Sequence, residues 1–408
     1  MENVATMMDA VEPAPIDRAL LEVCVAPFPE QARTLPAVAY TSPAVFDWER
    51  KHLFEAGWFC LGRTDDLRVR GDQKAVWVGD SGILLVRGED DRIRGFHNTC
   101  RHRGHELLPC DGSATNDRIV RCPYHRWMYD LDGTFRGGPG LASQPGFDKE
   151  DPGHSLVPAR VERWRGWTFA NVTGEASDLA EYIGPLDDLI APYEAERLSR
   201  AASHRYELTA NWKLIAENYH ECYHCTEIHP ELCRVTSPGS GRHYERSPVI
   251  VGGSMELLPH AETMSMDGAS GGRRFRQLSS SVREVHYLQL FPNLLLSIHP
   301  DYVMTHRLEP IAHDRTVVEC EWLFPPEATD LVDFDPSYAV DFWDLTNHQD
   351  WAACESVQRG VAGPGHRQAP FSEMERCVAR AMGLVARAYM VGGVRQLVGT
   401  ADWPKGPA

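Results

Sequence analysis

The 408-residue chain has no run of about 18 consecutive apolar residues, so a membrane-spanning helix is not expected. Its first residues, Met1-Glu2-Asn3-Val4, carry neither a basic nor an apolar stretch. No secretory signal is therefore expected, and the cytoplasm is the expected compartment. Positive charge is scarce: 41 Lys and Arg face 58 Asp and Glu, a net charge of −17. That balance argues against nucleic acid and anionic membranes as partners. An even cysteine framework is also missing, because the 11 cysteines are odd in number and irregular in spacing. Most are expected to be small core residues. No internal repeat is present. What remains is an ordinary balance, 43% hydrophobic and 24% charged, which excludes fibrous and low-complexity chains. The length suits two or three domains.

Residues 1–44, with several prolines, read as an arm with one short helix near Asp17–Val23. From Trp58 to about Val172, short apolar runs such as Ala75-Val76-Trp77-Val78 and Ile83-Leu84-Leu85-Val86 alternate with Gly/Asp turns. This pattern predicts an all-β module over 45–175. Over 176–408, three- and four-residue apolar spacing predicts helices at 177–197, 211–228, 337–360 and 371–390. Strands are predicted at 203–209, 248–256, 283–299, 302–310 and 315–324. Strands in the middle with helices around them suit an antiparallel sheet covered by helices, so the fold class expected is α+β. The polar stretch 261–281, with Gly268, Gly271 and Gly272, reads as a mobile loop.

Chemistry concentrates in two places. The first is Cys100-Arg101-His102-Arg103-Gly104 followed by Cys122-Pro123-Tyr124-His125-Arg126-Trp127. Each Cys/His clip follows a predicted strand, Ile93–Asn98 and Arg118–Arg121. Two strand tips can thus offer two thiolates and two imidazoles to one site. That donor set fits tetrahedral zinc. It also fits a Rieske [2Fe–2S] centre, where thiolates hold one iron and imidazoles the other. One Cys and one His per clip suits two irons better than one zinc.

The second place is Asn211–Pro230, containing Glu217, Glu221, His224 and His229. On a helix, positions 217, 221 and 224 share a face. His224 and His229 would lie about 140° apart on a regular helix, so both reach one metal only if the helix breaks after His224. Pro230 places His229 on the turn leaving the helix. Two imidazoles and a carboxylate make the facial triad of non-haem iron sites. Asp350 is the candidate carboxylate, on a helical face with Trp343, Thr346, Cys354 and Val357. A buried carboxylate needs a partner or a metal. The competing reading of Asp350 is a cap or a surface ion pair. Cys222-Tyr223-His224-Cys225 invites a redox pair or a zinc site. Late in a helix, two small core thiols are the preferred reading.

With both motifs in hand, the chain resembles the α (oxygenase) subunit of Rieske non-haem iron oxygenases over roughly residues 45–395. The resemblance implies an N-terminal Rieske domain and a catalytic domain with a helix-covered antiparallel sheet. It implies Cys100, His102, Cys122 and His125 as cluster ligands, and His224, His229 and Asp350 as ligands of a mononuclear Fe(II). Glu221 matches an acidic residue that joins this iron site to the cluster histidine of the next subunit in a head-to-tail homotrimer. Ring-hydroxylating dioxygenases usually carry Asp there. Glu, with E-N-Y-H-E-C-Y-H-C and W-D-L-T-N-H-Q-D-W, looks like the glycine betaine, stachydrine and carnitine-type monooxygenases. The implied activity is monooxygenation or dioxygenation of a C–H bond with O2. Electrons would come from NAD(P)H through a reductase, with or without a ferredoxin. N-demethylation of a small quaternary ammonium is one expectation; hydroxylation of an aromatic ring or natural-product scaffold is another. A non-catalytic electron carrier is a third, which has no use for His224, His229 and Asp350.

Residues 92–136 hold eight arginines and five acids in an otherwise acidic chain. This surplus could steer an acidic electron donor, or the arginines could be paired within the module. A quaternary ammonium requires an aromatic cage, for which Tyr219, Tyr287, Phe291 and Tyr302 are candidates that core packing explains equally well.

Overall fold

A computed structural model describes residues 12–110, 112–115, 117–244, 249–270, 274–279 and 281–398. The fold is α+β. Strands β1 (Phe59–Arg63), β2 (Gln73–Val78), β3 (Ser81–Arg87), β4 (Ile93–His97) and β5 (Ser113–Ala114) come first. They are followed by β6 (Val120–Arg121), β7 (Met128–Tyr129), β8 (Phe135–Gly137), β9 (Pro158–Trp164) and β10 (Trp167–Asn171). One sheet runs β1-β10-β9-β4-β3-β2-β5, and β6-β7-β8 form a small second sheet. A separate cluster of buried side chains lies between them, including Leu84, Phe96, Val120, Trp127, Tyr129 and Phe135. Cys100 and Cys122 belong to this cluster.

The second half is built on strands β11 (Ser199–Leu208), β12 (Arg242–His243), β13 (Ile250–Glu256) and β14 (Glu284–Leu290). It continues with β15 (Leu294–Ile298), β16 (Val303–Ala312) and β17 (Arg315–Phe324). They form an antiparallel sheet in the order β11-β17-β16-β15-β14-β13-β12. The predicted single strand 283–299 is two strands, because Pro292 has no N–H to donate to a ladder and the chain turns there.

Helices α1 (Trp212–Tyr219), α2 (Ser337–Val361) and α3 (Arg376–Val391) pack around this sheet. In α2, Ala339, Phe342, Trp343, Thr346, Asn347, Trp351, Cys354 and Gln358 are buried, the three- and four-residue spacing of one covered face. A capping box between Ser372 and Glu375 opens the turn leading into α3. The predicted helix 177–197 is instead two short helices, Leu179–Ile183 and Leu186–Ile190, followed by two 3-10 turns. Gly184-Pro185 and Pro192 interrupt it.

The N-terminal segment lies against the second half. Asp17 caps the short helix Arg18–Glu22 by accepting from the Ala19 N–H at 3.0 Å. The Ala14 N–H donates to the Tyr389 carbonyl at 2.9 Å, and that of Thr34 to Ala369 at 3.0 Å. Glu49 ends the helix Pro43–Glu49 and has no exposed surface. Its carboxylate accepts from Lys213 Nζ at 2.6 Å, from Trp212 Nε1 at 2.9 Å and from the Tyr389 hydroxyl. Removing one partner of such a buried pair leaves an uncompensated charge and costs about 3–5 kcal/mol.

The two halves share one continuous apolar core. The Asn293 side chain accepts from the Cys60 N–H at 2.8 Å and donates to the Cys60 carbonyl at 3.0 Å. Arg63 adds bonds to the carbonyls of Ala195 and Leu198, both at 3.1 Å. The stretch expected as a mobile loop is packed where it is described: Ala261, Thr263, Met264, Ser265, Ser270 and Phe275 are buried. Residues 271–273 and 280 lie outside the described residues.

That packing buries Asp301, whose carboxylate accepts from the Thr263 hydroxyl and from Tyr338 at 2.7 Å. Burial outweighs these bonds and pushes its pKa up to about 7. The folded state thus holds a proton that the unfolded chain releases near pH 4. The contribution is full in acid and is lost as pH rises through 7. Asp301→Asn should therefore flatten the decline in thermal stability between about pH 4 and 7. Melting curves across that range check it; an unchanged slope contradicts it.

Candidate metal centres

The two Cys/His clips fold into matching turns. In the first, the Cys100 N–H donates to the His105 carbonyl at 2.9 Å, and the Gly104 N–H donates back to the Cys100 carbonyl at 3.0 Å. In the second, the Cys122 N–H donates to the Trp127 carbonyl at 2.8 Å, and the Arg126 N–H to the Cys122 carbonyl at 3.1 Å. The fifth residue of each turn takes a positive φ, 75° at Gly104 and 57° at Arg126. Glycine meets this demand without strain; Arg126 meets it at a cost.

The turns put both sulfurs inside and both imidazoles outside. Cys100 and Cys122 are 2% and 1% exposed. His102 is exposed and His125 half-buried, with ring centroids 4.7 Å apart. Tyr129, which sequence reasoning passed over, places its hydroxyl 3.2 Å from Cys100 Sγ and accepts from the Arg101 N–H at 3.0 Å. Trp127 stacks on His102 at 4.8 Å. Two paired thiols inward and two paired imidazoles outward fit a diiron cluster with unlike ends. A helix carrying both histidines, as in common zinc fingers, is absent among the described residues here.

The second constellation forms differently from the sequence expectation. The helix does not run to 228 and break after His224; α1 ends at Tyr219. His220 turns aside, its Nε2 2.8 Å from Gln289 Oε1. Glu221 then accepts from the backbone N–H groups of Tyr223 and His224, replacing helical bonds with a local cap. Glu217, Glu221 and His224 consequently do not share a helical face. His224 heads a single turn, Cys225–Ile228, and His229 follows in a non-helical conformation before Pro230.

This break brings His224 and His229 to Asp350 on α2. Their three ligand atoms lie within 4.8 Å of one another. His229 Nε2 is 2.9 Å from Asp350 Oδ1, and His224 Nε2 is 3.4 Å away. The other ring nitrogens are occupied. His224 Nδ1 bonds to Glu221 Oε1, and His229 Nδ1 lies 2.6 Å from Gln349 Oε1. Holding the proton on Nδ1 frees each Nε2 to donate a lone pair. Asn218 Nδ2 donates to Asp350 Oδ1 at 3.0 Å. Burial alone would lower the His224 pKa, but the carboxylates of Asp350 and Glu221 raise it to about 9, so a metal bound at Nε2 would displace a proton from it. Burial likewise raises Asp350, and the two imidazoles more than reverse that. The donor set fits a divalent iron with open positions.

Beside these atoms lies a cavity of about 120 Å³, walled by Tyr219, Tyr287, Trp343, Trp351, His306 and Asn347. Tyr219 and Tyr287 rings are 6.0 Å apart, and Tyr287 and Trp343 6.4 Å. Of the four aromatic candidates, Phe291 and Tyr302 are elsewhere, 1% and 0% exposed in the core. Trp343, Trp351 and His306 were not anticipated as cavity residues. Cys222 and Cys225 also differ from expectation: they are joined by a disulfide rather than being separate core thiols. In the arginine-rich stretch, Arg92 and Arg94 pair with Asp90, and Arg136 with Asp130. Arg101 instead bonds a carbonyl, that of Gly153, and Arg103 lies over the Tyr124 ring.

Comparison with known proteins gives the family of the chain. The family model for the Rieske [2Fe-2S] domain matches residues 57–148, and that for the ring hydroxylating alpha subunit (catalytic domain) matches 195–390. The glycine betaine monooxygenase oxygenase subunit of Chromohalobacter salexigens is 30% identical over 83% of this chain and 82% of its own. The carnitine monooxygenase oxygenase subunit of Acinetobacter baumannii is 30% identical over 88% of this chain and 92% of its own. A structure of the quaternary ammonium Rieske monooxygenase CntA with L-carnitine superposes with a TM-score of 0.76 at 26% identity, covering 92% of this chain and 99% of that one. The chain belongs to the Rieske non-haem iron oxygenases, as an α (oxygenase) subunit. It is an oxidoreductase with a Rieske [2Fe–2S] domain and a catalytic mononuclear-iron domain; oxygenase subunits of this family receive electrons from a reductase. Among the described residues, no helix is long and apolar enough to cross a membrane.

Proposed function

We propose that this subunit oxidises an N-methyl group of a small quaternary ammonium, a betaine-like compound, in the cytoplasm. The observation that carries the reading is the aromatic wall of Tyr219, Tyr287, Trp343 and Trp351 beside His224, His229 and Asp350. Ring faces attract a cation that cannot donate hydrogen bonds. The Tyr287 hydroxyl and Trp351 Nε1 are buried with no hydrogen-bond partner, two donors left for an anionic end of the same substrate. The relatives named above act on glycine betaine and carnitine, which combine these two features.

Cys100 and Cys122 would hold one cluster iron, His102 and His125 the other, within a domain spanning about 45–175. His224, His229 and Asp350 would hold the mononuclear iron in a domain spanning 176–408. When bound, these groups supply single electrons and the activation of dioxygen. The chain's own residues do the rest. Glu221 and Gln349 keep protons on the Nδ1 atoms, so that both imidazoles present Nε2. The aromatic wall keeps a methyl group near the ligand atoms and excludes water. The balance is one C–H bond, O2, two electrons and two protons in, and one C–OH bond and water out. The N-hydroxymethyl product then breaks its C–N bond, giving a tertiary amine, formaldehyde and a proton.

Electrons would reach the cluster from an NAD(P)H-dependent reductase, directly or through a ferredoxin. Electron transfer between subunits is reported for a CntA structure, and we place Glu221 at such a junction in a homotrimer of this chain. The partly unpaired arginines near the cluster, Arg101 and Arg103 among them, would face an acidic donor.

Three outcomes are expected. His224→Ala should keep the cluster's visible absorption and lose the mononuclear iron and turnover, whereas His102→Ala should lose the absorption; iron analysis and spectra of both check this. With a reductase and a panel of betaines, formaldehyde should appear in step with oxygen consumed. Ring hydroxylation of aromatic substrates without formaldehyde would overturn the substrate class. Raising ionic strength from about 0.05 to 0.5 M should slow cluster reduction by an acidic donor several-fold. A salt-independent stopped-flow rate would remove the steering role.

A further inference from the structure

The loop carrying His224 is closed on both sides. Cys222 precedes it by two residues, Cys225 follows it, and a disulfide joins them with Cα atoms 4.9 Å apart. The two ends are tied to the proposed iron ligands. Cys222 adjoins Glu221, which bonds His224 Nδ1. The Cys225 carbonyl accepts from the His229 N–H at 2.9 Å. Cys225 is 2% exposed, but Tyr223, between the sulfurs, is 56% exposed, so the loop is reached from solvent.

We infer that Cys222 and Cys225 form a reversible, peroxide-oxidised modification site that locks the loop holding His224. The inference rests on His224 being an iron ligand. The oxidant is hydrogen peroxide, formed when dioxygen takes two electrons and two protons without a C–H bond being cut. One thiol attacks peroxide, giving a sulfenic acid and water; the second thiol displaces the sulfenic oxygen, giving the S–S bond and a second water. Two thiols lose two electrons in all, and one peroxide becomes two waters. The bonded loop has the three ligand atoms gathered, as seen. The opened loop regains freedom, so oxidation slows iron loss. A ring this short predicts an effect of about tenfold.

The test uses the full, iron- and cluster-loaded protein, prepared anaerobically with a phosphine reductant and then treated or not with stoichiometric hydrogen peroxide. Alkylation and peptide mass spectrometry map the thiols, and an Fe(II) chelator times iron release. Expected are a Cys222–Cys225 linkage after peroxide, its reversal by reductant, and release about tenfold slower in the oxidised form. The Cys222→Ser/Cys225→Ser protein should release iron at the reduced rate in both conditions. Free thiols at both positions after peroxide, a different pairing such as Cys225–Cys233, or equal release rates would each overturn it. In His224→Ala the linkage should still form, which separates failure of this inference from failure of the iron assignment.

Discussion

A single carboxylate cut off from water organises the second half of the molecule. Glu49 draws Lys213 and Trp212 of α1 and Tyr389 of α3 onto one point. A buried charge of this kind is weak evidence for stability, because desolvation offsets the attraction. Its value lies in geometry. With the first turn of α1 pinned, the place where that helix ends is pinned too. The ligand loop starts there, five residues before His224, and carries His224 and His229 to Asp350 on α2.

The two candidate metal centres are made by opposite means. The cluster site is local: each half is one tight turn, bonded to itself and backed by its own small core. The iron site is assembled from a distance. Two histidines come from a broken helix and one carboxylate from a helix more than a hundred residues later. Local turns suit a cluster whose geometry the inorganic core dictates. An assembled site suits a metal that must share its surroundings with a substrate, since the same helix that brings Asp350 also brings Trp343 and Trp351 to the cavity.

This contrast decides what could be read from the amino acids. The Cys/His clips were legible because the residues with the chemistry lie a few positions apart. Asp350 was singled out because a carboxylate stood on a helical face that looked buried, and the fold brings it to His224 and His229. The strands 302–310 and 315–324 were expected, and 315–324 is a strand over its full predicted length. The failures share a cause. Helices 177–197 and 211–228 have helical spacing, but Gly184-Pro185 stops one and side-chain caps from Glu221 stop the other. A periodicity count does not weigh a carboxylate that competes for backbone N–H groups. The aromatic wall was only half found. Tyr219 and Tyr287 were candidates, yet nothing local distinguishes them from Phe291 and Tyr302, and His306 joins them only through the order of strands in the sheet.

The seam between the halves has its own consequence. Asn293 meets both the N–H and the carbonyl of Cys60, as a residue on an adjacent strand would, and Arg63 adds two more bonds. Any swivel of one sheet against the other would tear all four. Such a seam behaves as a weld, so the two halves of one chain move as a single rigid piece.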